Sequence, residues 1–337
     1  MKPRIALIHG DPAGIGPELV AKLLAESEVA GAADIILVGD RHVFELGQEQ
    51  ANVTCHMRDI DAEEPESWLD GDGYPLVPME TILPDEIEIA TVTEAGGRAS
   101  LRNLDRAIDL VTAGHADAIL FGPFNKAAMH LAGLNAEDEH RYIARYLGFT
   151  GYHSEVNMLD ELITTRVTSH IALKDVVANI DQDAVIDAVR LAADTLRATG
   201  ISRPRIGVAA VNPHAGDNGN FGTEEIDILG PAIQRAQALQ IDVDGPWPSD
   251  TVFLRARDGQ LDAVVTMYHD QGQIAMKLMG FERGVTIAAG LPLPVATPAH
   301  GTAFDIAGRG IANPGAMRKA FDILCRMGAD YRTRRNS

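Results

Sequence analysis

Residues 5–25 read IALIHGDPAGIGPELVAKLLA. Ile5–Ile8 is a short apolar strand by its pattern, and Gly10, Gly14 and Gly16 punctuate the turn that follows. Pro17 sits where proline suits the first turn of a helix, and Leu19 with Leu23 and Val20 with Leu24 form an i,i+4 stripe. The pattern recurs outward. Asp34–Val38 and Ala118–Phe121 read as further strands. Leu101, Leu104, Ile108 and Val111 step along a helix that ends at Gly114. Residues 185–196 and 226–239 are amphipathic helices. Such alternation predicts α/β layers around a mostly parallel sheet.

Three more apolar runs each stop at a histidine: TRVTSH (165–170), IGVAAVNPH (206–214) and AVVTMYH (263–269). If each is a buried strand, His170, His214 and His269 converge at the carboxyl edge of one sheet, where open α/β sheets place ligands. Neutral imidazole is the commonest protein metal ligand, and three leave coordination positions open for water or substrate. A single strand-end histidine is ordinarily bonded to a loop; the threefold repetition favours a catalytic metal.

Composition limits the alternatives. At 337 residues the chain is long enough for two packed domains, and we place the first at 1–135 with 286–337 and the second at 136–285. A formal charge of −19 excludes the dense basic patches that nucleic acid or an anionic membrane would require. The acidic stretch 59–72 reads as a solvated face. Cys55 and Cys325 imply neither a disulfide framework nor a cysteine zinc site. The N-terminal apolar run is too short for a signal peptide or a membrane span, so the expected compartment is the cytoplasm.

The turn around Gly14 and Gly16 can bring backbone amides and a helix N-terminus to an anionic ligand, though it lacks the spacing of a P-loop or a dinucleotide fingerprint. Lys126, in GPFNK after the 118–121 strand, is placed to bind an anion or move a proton. Asp250 and Asp270 are carboxylates beside the histidine motifs; Asp250 reads equally well as a helix N-cap. The most specific stretch is HGTAFDIAGRGIANP, residues 300–314, a loop long enough to wrap an adenosine.

That loop resembles the adenosine-binding signature of the β-decarboxylating dehydrogenases. The resemblance makes His300, Gly301, Thr302 and Asp305 cofactor contacts. A carboxylate at 305 suits the ribose hydroxyls of NAD and would repel a 2′-phosphate. Over nearly its full length the chain resembles the 4-hydroxythreonine-4-phosphate dehydrogenase family, through GDPAGIGPE, GPFNK, SHIALKD, VNPHAGDNGNFGTEE, DTVF, MYHDQGQIAMK and HGTAFDIAGRG. The resemblance implies two α/β/α domains of the isocitrate/isopropylmalate dehydrogenase type with a cleft between them. It also implies a homodimer whose metal site lies at the subunit interface, with His170, His214 and His269 as divalent-metal ligands. Histidine-only ligation suits zinc best, with cobalt, nickel, manganese, iron or magnesium as alternatives.

At the substrate contacts the chain departs from the family. His140 and Lys277 match, but Arg141 stands for a threonine, Thr286 for an asparagine and Val295 for an arginine. Loss of an arginine removes a bidentate anion clamp. The expected reaction is NAD- and metal-dependent oxidation of a secondary alcohol in a small anionic hydroxy acid, with β-decarboxylation. Lys126, Asp250 and Asp270 are the proton-transfer candidates; His140, Arg141, Lys277 and Thr286 are the substrate contacts. Strict family membership implies the vitamin B6 (pyridoxine) step. The altered contacts imply a diverged paralogue acting on a phosphorylated tetronate or a cyclohexadiene-diol carboxylate. A phosphate acyltransferase, of related architecture, is the distant alternative.

Overall fold

The computed structural model describes residues 2–60, 68–160, 162–280 and 283–336. Much of the acidic stretch read as a solvated face, residues 61–67, lies outside them. The chain divides into two compact units, 1–150 with 291–337, and 151–290. Among the described residues the strands of the first unit are β1 (Arg4–Ile8), β2 (Asp34–Gly39), β3 (Met57–Asp59), β4 (Tyr74–Pro78) and β5 (Ala118–Phe121). The second unit holds β6 (Ser154–Leu159), β7 (Leu162–Arg166), β8 (Ile206–Ala209), β9 (Val243–Trp247), β10 (Ala263–Thr266) and β11 (Val285–Ala289). The chain then returns to the first unit as β12 (Val295–Pro298).

In the first unit the order is β3-β4-β2-β1-β5-β12, with every pairing parallel. Parallel sheets are covered on both faces, so their strands carry continuous apolar runs. Ile5, Ala6, Leu7 and Ile8 accordingly have no exposed surface. The helix Glu94–Thr112 buries Leu101, Leu104, Ile108 and Val111. Thr93 caps its start by accepting the Gly96 N–H at 3.1 Å, and Gly114, at φ +85°, ends it with the His115 N–H donated to the Leu110 carbonyl.

In the second unit the order is β11-β6-β7-β10-β8-β9. The expected parallel arrangement holds for β7, β10, β8 and β9, whereas β6 runs antiparallel to both β11 and β7. β6 and β7 follow one another closely in the chain, and only an antiparallel pair can be joined by so short a connection.

Two of the sequence readings differ from the structure. The histidine runs are not strands to their ends: β7, β8 and β10 stop at Arg166, Ala209 and Thr266, so each histidine lies on the segment that follows. Residues 226–239 are not one α-helix but a π-helical turn, Glu225–Leu229, followed by the helix Gly230–Ala238. Pro231 is the physical reason, because it has no N–H to donate to the preceding turn.

Candidate active site

His170, His214 and His269 leave the carboxyl ends of β7, β8 and β10, which are adjacent and parallel in the order β7-β10-β8. The topology therefore delivers all three to one sheet edge. His170 and His269 face each other with ring centroids 5.7 Å apart. His214 packs near Phe221 at 6.2 Å. Within one chain the ligand nitrogens of the three do not all fall within 4.8 Å of one another.

Two of the three have left-handed backbones, His170 at φ +51° and His214 at φ +53°. For a residue with a Cβ this costs about 1–2 kcal/mol. Strain of this kind persists where the surroundings enforce it, and it concentrates at functional sites. The enforcement is visible. Val167 and Thr168 donate their N–H groups to the Thr266 and Met267 carbonyls at 2.8 and 3.0 Å, and the Thr168 hydroxyl donates to the Met267 carbonyl at 2.7 Å. Arg166, buried, donates to Glu155 at 3.0 Å and to the Ser169 hydroxyl at 2.9 Å, fixing the segment before His170. Gln271 ties the other two strand ends together: it accepts the Met267 N–H at 2.6 Å and donates to the Ala210 carbonyl at 2.7 Å and Ser249 Oγ at 3.1 Å.

Asp270 Oδ1 lies 2.7 Å from His269 Nδ1. A carboxylate on one ring nitrogen turns the other toward a metal and raises its basicity. Asp250 is exposed in the first turn of the helix Ser249–Arg257; the cap position there belongs to Pro248. Lys277 is exposed on the helix His269–Gly280, one turn beyond Gln273. Gln273 donates to the Asn157 side-chain oxygen, and Asn157 Nδ2 donates to Thr286 Oγ1 at 3.4 Å. Thr286 is thus joined to the helix that bears Lys277.

The remaining sequence-derived residues belong to the first unit. Lys126 opens the helix Lys126–Leu131, capped by the Asn125 side chain, and its Nζ lies 3.9 Å from Glu139 Oε2. His140 is buried in the helix Glu139–Tyr146. Arg141 Nη1 is held by two carboxylates, Glu137 at 2.8 Å and Asp138 at 2.9 Å. Val295 is buried in β12, opposite Ile119, and contributes nothing polar.

Gly14 and Gly16 are buried, and their close approach is to the protein's own chain. A Cβ on Gly14 would meet the Thr302 Cβ at 2.8 Å, and one on Gly16 the His9 carbonyl at 2.0 Å. The Ile15 N–H donates to the Thr302 carbonyl at 3.1 Å. The turn thereby anchors the start of the 300–314 loop. Its far end is held by an ion pair of the buried Glu18 and the half-buried Lys22: Lys22 donates to Glu18 at 2.7 Å and to the Gly310 and Ala312 carbonyls at 3.0 and 2.7 Å, while Glu18 accepts the Ala312 N–H at 2.8 Å. Just before the first anchor a Cβ on Gly301 would meet nothing within 4 Å, and between the anchors Asp305 is exposed. His300 Nδ1 lies 3.1 Å from the Gly301 carbonyl oxygen.

Sequence reasoning passed over Glu18, Lys22, Glu155 and Gln271. Glu18, Lys22 and Gln271 sit within quoted motifs, and for Lys22 the available signal was a charged residue inside an otherwise apolar helical run. Asp11 was also missed. Burial lifts its carboxyl to about 6, against the opposing bond from the Ala13 N–H. Its neighbour His9 is driven down to about 4, chiefly by burial.

Comparison with known proteins first gives the fold. A β-decarboxylating dehydrogenase from Thermococcus kodakarensis shares the fold, at TM-score 0.51 and 17% identity over 98% of this chain and 84% of its own. The family model described as pyridoxal phosphate biosynthetic protein PdxA matches residues 31–324. A Pseudomonas aeruginosa relative is 52% identical over 97% of each chain, and the D-threonate 4-phosphate dehydrogenase of Pectobacterium atrosepticum is 39% identical over 97% of this chain and all of its own. Among solved structures, 4-hydroxythreonine-4-phosphate dehydrogenase from Klebsiella pneumoniae superposes with TM-score 0.83 at 36% identity, covering 97% of this chain and 98% of that one. A terephthalate 1,2-cis-dihydrodiol dehydrogenase from Burkholderia xenovorans gives TM-score 0.68 at 28% identity, covering 97% and 98%. The chain belongs to the PdxA family and is a dehydrogenase.

Proposed function

We propose that the chain oxidises a secondary alcohol of a small anionic hydroxy acid, with NAD and one divalent metal ion, and that β-decarboxylation follows. The observation that carries this reading is the delivery of three histidines to the edge of three adjacent parallel strands, two of them on strained backbone. The donor set fits a divalent cation: His170 and His269 are 5.7 Å apart at their centroids, and Asp270 occupies one nitrogen of His269. The 300–314 loop fits NAD, with both ends fastened, an unobstructed Gly301 and an exposed carboxylate at 305.

A cation held there supplies Lewis acidity toward the substrate's oxygen atoms, and NAD supplies the hydride acceptor. The protein's own groups do the rest. Asp270 orients His269, which makes it a positioning group and removes it from the proton-transfer candidates. Lys126 Nζ, held only at 3.9 Å by Glu139, is the group available to move a proton, and Asp250 remains the second candidate. His140, Lys277 and Thr286 hold the substrate. Zinc is the metal that suits imidazole ligands best.

Arg141 favours a diverged substrate. Its guanidinium is already paired with Glu137 and Asp138, and Val295 offers no cation in place of the family's arginine. This weakens the case for 4-phosphohydroxythreonine and supports a D-threonate 4-phosphate or a cyclohexadiene-diol carboxylate, the substrate types named for two of the relatives. A panel of the three, assayed for NADH formation, tests the choice. Turnover of 4-phosphohydroxythreonine alone would contradict the diverged reading.

A homodimer accords with exposed apolar residues that follow each histidine: Ile171 and Leu173 after His170, Phe221 and Ile226 after His214, Ile274 and Leu278 after His269. Leu173 and Leu278 are 70% and 84% exposed, which a second copy of the chain would cover. Among the described residues no helix is long and apolar enough to cross a membrane. Two unbridged cysteines suit the reducing cytoplasm.

A further inference from the structure

The segment that presents His214 is wound the wrong way for L-residues. His214, Ala215, Gly216, Asp217 and Asn218 have φ of 53°, 54°, 79°, 45° and 55°, and four of the five carry a Cβ. Such a left-handed turn does not form on local preference. What holds it is a buried carboxylate further along the chain. Glu225, 5% exposed, accepts the Val211 N–H at 2.9 Å and the Asn212 N–H at 2.8 Å on Oε1, and Asn212 Nδ2 at 2.8 Å on Oε2. Asn212 Nδ2 also donates to Glu224 Oε2 at 2.6 Å. The turn is closed by the Phe221 N–H donating to the Gly216 carbonyl at 3.1 Å. A Cβ on Gly216 would stand 2.7 Å from Glu225 Oε2, so the turn and the carboxylate are fitted to one another.

Glu225 opens the π-helical turn Glu225–Leu229, a local geometry found often at functional sites. The ring of His214 is itself exposed, so folding gains little by straining the backbone beneath it. We propose that Glu225 is the positioning residue of His214: by fixing residues 211 and 212 it holds the left-handed turn and sets the direction of the imidazole as a divalent-metal ligand. This rests on the reading of His214 as a ligand.

The test uses full-length protein stripped of metal, as wild type, His214→Ala, Glu225→Gln and Asn212→Ala. Zinc affinity is read by competition with a chromogenic chelator, folding by circular dichroism, and loop order by amide hydrogen exchange without metal. Glutamine at 225 sets an NH2 group against Asn212 Nδ2, donor against donor. Glu225→Gln is therefore expected to weaken zinc binding about 10- to 100-fold, the usual size of an outer-sphere loss, and to speed exchange at residues 211 and 212. Asn212→Ala should act in the same direction by a smaller factor, and it carries the test if Glu225→Gln fails to fold. Zinc binding within about twofold of wild type in a folded Glu225→Gln, beside a His214→Ala that has lost the metal, would overturn the positioning role and leave the ligand reading standing. Wild-type affinity in His214→Ala would overturn both.

Discussion

His269 shows on one side chain how residue-level geometry becomes chemistry. Its Nδ1 is taken by Asp270 at 2.7 Å, and the ring nitrogen left over is the one a cation can use. On the proposed function Lys126 moves a proton and holds no metal, so replacing it by methionine should lower kcat by about 100-fold or more while leaving metal affinity unchanged. Steady-state rates and a metal titration on the same preparation check this. Asp305→Lys should raise KM for NAD and admit NADP; unchanged cofactor preference would show that residue 305 does not meet the ribose. Glu155→Ala leaves the buried Arg166 guanidinium without its carboxylate partner, and chemical denaturation should record a loss of about 3 kcal/mol. At this scale the types of the candidate site residues were legible, because imidazoles at the ends of apolar runs are conspicuous. Their partners were not. Glu225 and Gln271 act through hydrogen bonds to backbone far along the chain, and nothing in their local pattern announces that.

Elements were legible where one periodicity ruled. The helix Glu94–Thr112 shows its stripe and its glycine stop in plain sequence. The strand ends before the histidines were not, since Val167, Met267 and Val211 continue an apolar run beyond the last residue of each strand. The first β–α unit carries a prediction in pH. The carboxyl of Asp11 titrates near 6 when folded against 3.8 otherwise, so the native state binds the extra proton. Its contribution to stability is fully present below pH 3.8 and is lost as pH rises through 6, a change of about 3 kcal/mol. His9, lowered from 6.5 to about 4, has the opposite sign: its contribution is present above pH 6.5 and lost as pH falls through 4. Between pH 4 and 6 the two oppose each other. Asp11→Asn should therefore steepen acid destabilisation over that range and raise the melting temperature at pH 8, as thermal melts across pH would show. A melting profile parallel to wild type would mean that the buried carboxyl does not titrate there.

For the molecule as a whole, alternation of strands and helices was enough to predict the α/β class, and the ordered motifs were enough to indicate the family. Assembly is the level at which the sequence says least, because a surface leucine looks like a core leucine until its exposure is known. Leu278→Asp places a charge on the apolar patch that follows His269 and, on the proposed homodimer, should convert dimer to monomer in sedimentation, with loss of activity. The central claim is a metal-dependent dehydrogenase built on three strand-edge histidines. NADH formation from D-threonate 4-phosphate, measured on chelator-stripped protein before and after addition of zinc or manganese, tests it most directly. The account predicts no turnover until metal is restored, and none at any metal concentration in His214→Ala. Full activity in the stripped wild-type protein, or metal-restored activity in His214→Ala, would contradict it.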